Sequence, residues 1–262
     1  MSSPRQSGFT LPELLVAVAI ISTLVMVLLS ALRGMRERAE AVRCISNLRH
    51  LHLANSLYSS DHGQYVAAST DMYGSNLNRW HGERASRSQP FDGGSGPLAP
   101  YLGESGLIRR CASFKHDPDS SNPFEKSCGG YGYNASGIGS RIYVASGREA
   151  RHQGMRASSI QAPGRTVMFS DTAFPQPYGT PDHLIEYSFV QPYYFVSRTP
   201  DGSLNESGPA MPSMHFRHNS RTHVVWADGH VSAETMETEY SPLFTAKQVG
   251  WIGGPDNQLF RP

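Results

Sequence analysis

Residues 14–32 read LLVAVAIISTLVMVLLSAL, nineteen positions without a charged side chain. Only Ser22, Thr23 and Ser30 are polar within it. A helix needs about 20 such residues to cross the hydrocarbon layer of a membrane. A cleaved secretory signal would place a basic region directly before the apolar core and a small-residue cleavage site after it. Here the eight leading residues, MSSPRQSG, hold one Arg, and the apolar run leads straight into a further helical pattern. Between Leu14 and Tyr58 only Gly34 interrupts the pattern, and no Pro occurs. That predicts one helix of about 50 residues from Phe9, roughly 75 Å long at 1.5 Å per residue. Its outer half is amphipathic: Met35, Ala39, Val42 and Ile45 share one face, and Leu48, Leu51, Ala54 and Tyr58 a rotated one. Asp61-His62-Gly63 supplies the stop.

Glu13 stands at the edge of the apolar run, where a carboxylate is costly and usually has a reason. The run Gly8-Phe9-Thr10-Leu11-Pro12-Glu13-Leu14-Leu15 resembles the processing motif of type IV prepilins and type II secretion pseudopilins. The resemblance implies cleavage after Gly8 by a prepilin peptidase and N-methylation of the new terminus, Phe9. It also implies a role in assembly for Glu13, paired with the terminal amine of a neighbouring subunit. Two opposite charges in a low-dielectric layer are each expensive alone and tolerable together. Pro12 replaces the aliphatic residue of some members, but in a first helical turn a missing N–H costs little. The charge count points the other way from the motif. Arg5 precedes the span, while Arg33, Arg36, Arg38 and Arg43 follow it. A positive-inside count alone would keep the following domain in the cytoplasm. The motif outranks the count here and implies an inner-membrane protein with a periplasmic or extracellular head.

The chain thus divides into a leader over 1–8, a long helix over 9–60 and a head over 61–262. About 200 residues suffice for one domain with a substantial core. The charged fraction is 17%, while Gly and Pro together number 43, which favours short strands and many turns. A net charge of +1 gives no electrostatic case for nucleic acid. The predicted fold is α+β and pilin-like, a long helix packed on a mainly antiparallel β head with long loops. Residues 166–170, TVMFS, read as a buried strand closed by Asp171, and residues 193–197, YYFVS, as a second strand. Tyr131-Gly132-Tyr133-Asn134 reads as a tight aromatic turn. Residues 223–231, HVVWADGHV, predict a hairpin with a two-residue turn at Asp228-Gly229. If the head is exported, Cys111 and Cys128 are the expected disulfide, worth about 3 kcal/mol in the chain-entropy model. In a reducing compartment the same residues would be unpaired thiols.

His218, nine residues and then Asp228-Gly229 resembles the H-x9-DG region, here about 215–262, of pilin-like proteins from planctomycete- and verrucomicrobia-type bacteria. Residues 250–260, GWIGGPDNQLF, resemble that family's ending. The resemblance names a class and makes His218, Asp228 and Gly229 structural motif residues. His215, His218, His223 and His230 gather in sequence around Asp228, but their spacing fits no standard ligand pattern, and there is no CxxC. No metal or other cofactor is expected. Some pseudopilins bind calcium in loops, and that resemblance makes Asp171, Asp182 and Asp256 the oxygen donors to consider, although no Asp-x-Asp ladder appears. No G-x-S-x-G, His-Glu-x-x-His or phosphate loop marks an enzyme. The expected function is a non-catalytic filament subunit, whose partners are a prepilin peptidase, other pilin or pseudopilin subunits and the inner membrane. Two alternatives are a membrane-tethered binding module that never polymerises and a membrane-anchored metal-dependent enzyme.

Overall fold

The computed structural model describes residues 10–72, 74–115, 125–147, 149–176, 183–199 and 201–262, leaving aside the side chains of 30 and 33. Helix α1 covers Leu11–His62. Gly63 ends it in the left-handed region, at φ 73°, with its N–H on the Ser59 carbonyl at 2.8 Å. Glycine takes that conformation without a Cβ penalty. The chain forms two compact units, residues 1–40 and 41–262.

In the first unit, residues 14–32 of the helix are apolar on every side, and among the described residues their large apolar side chains are exposed. Leu24 is 64% exposed and Met26 72%. By length and composition this segment can cross a membrane. Thr10 and Glu13 cap its start. Thr10 N–H and Oγ1–H both donate to Glu13 Oε2 at 2.8 Å. This is the reaching-back half of a capping box, with Glu13 at the third helical position.

In the second unit the outer part of α1 lies on a five-stranded sheet. The strands are β1 (Tyr131–Asn134), β2 (Val167–Asp171), β3 (Phe189–Val190), β4 (Arg221–Trp226) and β5 (Val231–Thr235). Their order is β5-β4-β2-β1-β3, antiparallel except for the β1/β3 pair. Among the described residues the head is therefore mainly antiparallel, with four two-stranded sheets besides this one. The α+β, pilin-like organisation expected from the sequence is the one observed.

Residues 131–134 are not a turn, as the sequence suggested, but an inner strand of this sheet. Gly132 makes that possible, because a Cβ there would lie 2.7 Å from the Phe189 carbonyl carbon. The tyrosines on either side then point their hydroxyls at the helix. Asn47 Nδ2 donates to Tyr131 OH at 3.0 Å, and Asn55 Nδ2 to Tyr133 OH at 3.1 Å. Tyr133 OH donates to the Val66 carbonyl, and Val66 N–H to Asn55 Oδ1, so these buried polar atoms are matched. Cys44, Leu48 and Leu51 fall at helical spacing on the same face and are buried with Trp80, Met168, Phe169 and Val225. On the other side of the sheet, Val224 and Trp226 pack with Phe216, Trp251 and Phe260. Val225 facing one core and Val224 and Trp226 the other is the two-residue alternation of a strand.

The disulfide expected between Cys111 and Cys128 is not formed. Cys111 is bonded to Cys44 of α1, with Cα atoms 5.4 Å apart, and Cys128 is a buried free thiol. Cys128 lies beside Glu186 Oε2 at 3.6 Å, one of several groups gathered on that carboxylate. Burial first, and the nearby carboxylates with it, push its thiol pKa well up. Nearness in sequence favoured Cys111–Cys128, but the helix lies across the loop and brings Cys44 closer in space. The bridge closes 67 residues of separation, worth about 4 kcal/mol in the chain-entropy model.

Non-reducing peptide mapping is expected to recover a Cys44–Cys111 linked pair, with Cys128 alkylated only after denaturation. Leu48→Ala is expected to cost about 2–5 kcal/mol in chemical unfolding. Leu53→Ala, on the exposed side of the same helix, should change stability by under about 0.5 kcal/mol.

Candidate functional site

A buried polar cluster is built where β2 ends and β4 begins. Between Phe216 and β4 the chain turns sharply through Asn219 and Ser220, at φ 54° and 58°. His218 and Arg221 exchange N–H···O bonds of 3.0 and 3.2 Å across them. Two successive left-handed residues make the tightest hairpin-type turn, and Asn tolerates that conformation better than most residues. The turn folds His218 back over His223, with ring centroids 4.3 Å apart. Both imidazoles face Asp171, the last residue of β2. His218 Nε2 and His223 Nδ1 each lie 3.3 Å from Asp171 Oδ2. That same oxygen accepts the His223 backbone N–H at 2.9 Å.

Arg217 holds the other carboxylate oxygen, Nη2 to Oδ1 at 2.7 Å, with both side chains buried. Its remaining donors reach the Gly130 carbonyl at 2.7 Å, the Thr172 carbonyl at 3.1 Å and Cys111 Sγ at 3.3 Å. The guanidinium also lies 5.2 Å from the Phe114 ring centre. Burial works to raise the Asp171 pKa, but Arg217 and the imidazoles outweigh it and hold the carboxyl well below its usual range. Arg217 thus ties together the Cys111 loop, the entry to β1 and the end of β2. Removing one member of such a buried pair typically costs 3–5 kcal/mol, because the other charge is left uncompensated.

The structure separates the motif residues. The nine positions between His218 and Asp228 are the Asn219-Ser220 turn, strand β4 and Ala227. The spacing therefore measures one strand, and the motif marks its two ends. His218 serves Asp171 at one end. At the other, Asp228 Oδ1 accepts from the His230 backbone N–H at 3.1 Å and lies 2.7 Å from its Nδ1, on the exposed turn. The histidines at 215, 218 and 223 gather near Asp171 and Arg217, not around Asp228. The turn itself is longer than the two residues expected. Trp226 N–H donates to the His230 carbonyl and Gly229 N–H to the Trp226 carbonyl. Of Ala227, Asp228 and Gly229, only Gly229 is left-handed, at φ 92°. This is a three-residue loop closed by a glycine bulge. A Cβ at Gly229 would also crowd the His52 ring of α1, lying 2.8 Å from Cε1. His52 Nε2 lies 3.1 Å from the Ala227 carbonyl and anchors the hairpin tip to the helix.

Of the three acidic residues considered for calcium, Asp171 is committed to Arg217, and Asp256 accepts from Gln258 N–H at 2.8 Å. Asp182 lies outside the described residues, as do Gly8 and Phe9. Sequence reasoning passed over Arg217 and read Asp171 chiefly as a strand terminator. A charge closing a buried apolar strand needs a buried countercharge, and Arg217 beside the motif histidine was the available signal.

A second buried network joins Arg79 to Glu125 at 3.2 Å and His81 Nε2 to Ser188 Oγ at 2.7 Å, with Ser188 Oγ also on Glu125. Here Ser188 is fully buried and its oxygen lies between the imidazole and the carboxylate. Burial, followed by Arg79 and Arg84, pushes His81 down to about 3. Burial and Arg217 do the same to His215.

The prokaryotic N-terminal methylation motif matches residues 3–29. In this motif the chain is similar to pilins and pseudopilins. It is 34% identical over 65 residues to the type II secretion system core protein G of Aeromonas hydrophila. That stretch is 25% of this chain and 46% of the relative, so the chain spans about half the relative's length. No solved structure matches the chain significantly. The motif match falls on residues 3–29, which include the start of α1.

Both depressed histidines have a defined effect on stability. The unfolded chain binds their protons near pH 6.5, and the native head binds them only near pH 3. The stability they contribute is complete above about pH 6.5 and is lost as pH falls towards 3. Thermal melts of the full chain in detergent are expected to fall steadily below about pH 6.5. His81→Gln, which keeps a polar contact for Ser188 but cannot titrate, should flatten part of that slope.

Proposed function

We propose that this chain is a structural subunit of a type IV pilus or type II secretion pseudopilus. A prepilin peptidase cleaves it after Gly8 and methylates the Phe9 amine. The apolar part of α1 anchors it in the inner membrane and then joins the helical core of a filament, with the head on the periplasmic or extracellular side. The observation that carries this reading is the coincidence of two features. The methylation motif over residues 3–29 falls on a helix whose apolar side chains are exposed all round. A helix of that kind needs lipid or other helices as its surroundings. Assembly, not catalysis, is the role proposed for the head.

Glu13 has two candidate duties. Within its own chain it caps α1 through Thr10. In a filament it would face the methylated amine of a neighbour, where a charged pair outlasts desolvation better than either charge alone. Capping is the weaker demand, because Gln also serves at that position of a capping box.

Glu13→Gln therefore separates assembly from folding. Intact mass of wild-type protein from its native membrane should show a chain beginning at methylated Phe9. A chain keeping residues 1–8 in cells with active prepilin peptidase would overturn the proposal. Glu13→Gln should be cleaved and inserted as wild type, yet fall by at least about tenfold in sheared filament fractions. Undiminished activity of the variant without filaments would favour a tethered binding module instead.

A further inference from the structure

We propose that Cys44, Cys111 and His218 form a transition-metal site of zinc type when the Cys44–Cys111 bond is reduced, so that the same side chains staple α1 to the head by a disulfide or by a metal. The site does not depend on filament assembly.

Three observations carry the assignment. First, the ligand atoms converge. Cys44 Sγ, Cys111 Sγ and His218 Nε2 all lie within 4.8 Å of one another, and all three residues are buried. Cys111 Sγ and His218 Nε2 are 3.6 Å apart. A tetrahedral zinc with Zn–S of about 2.3 Å and Zn–N of about 2.0–2.1 Å has a sulfur–nitrogen edge of about 3.6 Å. Once the disulfide is opened, side-chain rotation lets the sulfurs reach the corresponding edge of about 3.8 Å.

Second, the surroundings suit a metal-bound thiolate. Arg217 Nε donates to Cys111 Sγ at 3.3 Å. A hydrogen bond from a guanidinium to a ligating sulfur is the outer support that such sites use. Arg217 is in turn fixed by Asp171 and two carbonyls, so the donor is held in position.

Third, charge selects these ligands over their neighbours. Asp171, His218 and His223 also bring three donor atoms within 4.8 Å. Asp171, however, is already neutralised by Arg217 at 2.7 Å. A divalent ion on that trio would add two uncompensated positive charges in a buried place, which is prohibitive. Two thiolates and a neutral imidazole cancel a divalent ion and leave the Asp171–Arg217 pair undisturbed. Ligation takes the His218 Nε2 lone pair, so the ring carries its proton on Nδ1 and gives up the 3.3 Å contact of Nε2 with Asp171 Oδ2, an oxygen that keeps the His223 backbone N–H. The fourth position remains for a small ligand or water. Sequence spacing could not reveal this set, because its members come from α1, a loop and a turn.

The metal keeps its oxidation state when the two forms interconvert. A disulfide reagent oxidises the two metal-bound thiolates to the Cys44–Cys111 bond. It is itself reduced to two thiolates, and the metal leaves as the divalent ion. A dithiol reductant runs the reverse reaction, and the two thiols then lose two protons to the solvent as the metal binds.

The test uses the untagged full chain in detergent, with Cys128→Ser to remove the third sulfur, and cobalt(II) as a spectroscopic stand-in for zinc. After reduction by a phosphine and its removal under anaerobic conditions, the chain should take up one cobalt, with tetrahedral d–d bands and a sulfur-to-cobalt charge-transfer band. Zinc should displace the cobalt. The oxidised chain should show neither band, a comparison that requires no ligand variant. His218→Ala should weaken the reduced chain's cobalt binding by at least about tenfold while leaving the disulfide of the oxidised chain intact. Equal cobalt uptake by oxidised and reduced chains would overturn the proposal. So would the lack of a sulfur band in the reduced chain, including through unfolding seen by circular dichroism.

Discussion

The head is organised by one contact, the face of α1 from Cys44 to Asn55 pressed on the centre of the five-stranded sheet. The contact is apolar through Leu48 and Leu51, and polar where Asn47 and Asn55 meet the Tyr131 and Tyr133 hydroxyls. The polar part adds direction. Burying leucine rewards many helix positions about equally, whereas an asparagine amide placed against a tyrosine hydroxyl fixes rotation and register, because a mismatch leaves buried groups unpaired. The disulfide to Cys111 and the His52–Gly229 contact then fasten the loop and the hairpin tip to that same helix face.

A second level of order rests on Asp171. It ends the central strand as a buried carboxylate, and satisfying it gathers Arg217, His218 and His223 from the chain some fifty residues on. Arg217 extends the hold to Gly130 and Cys111. The motif histidine is therefore part of a charge-balanced joint between strands. The motif's Asp-Gly does a different task at the far end of β4, shaping the exposed turn that His52 of the helix touches. Two residues at a fixed spacing need not meet, and here the spacing reports the length of the strand between them.

The pilin-like features and the head draw on different physics. Among the described residues the first unit presents apolar surface without internal cover, a surface suited to lipid or to other helices. In the second, most buried polar side chains among the described residues have hydrogen-bond partners, with Arg79 Nε, His81 Nδ1, His152 Nδ1 and His223 Nδ1 as exceptions. That unit has short strands and long connections, so buried ion pairs and side chain–backbone bonds carry order that longer strands would otherwise supply. Arg79 with Glu125 and Arg217 with Asp171 are buried examples.

The apolar span, the processing motif, the helical stop at Gly63 and strand β2 were legible because each depends on neighbours in the chain. Hydropathy, helical period and the left-handed tolerance of glycine are local quantities. The strand at Tyr131–Asn134 was not legible, since a lone Gly between tyrosines reads as a turn until a neighbouring backbone is known to pass against it. The cysteine pairing was misread for the same reason: sequence distance stood in for spatial distance, and α1 overrides it. The sequence by itself determined a membrane-compatible helix, its pilin-like start and a β-rich domain after it. Only the tertiary structure decided which cysteines join, which carboxylate the histidines serve and what the nine-residue spacing measures. Those are contacts between distant segments, set by how a helix face and a sheet fill space together.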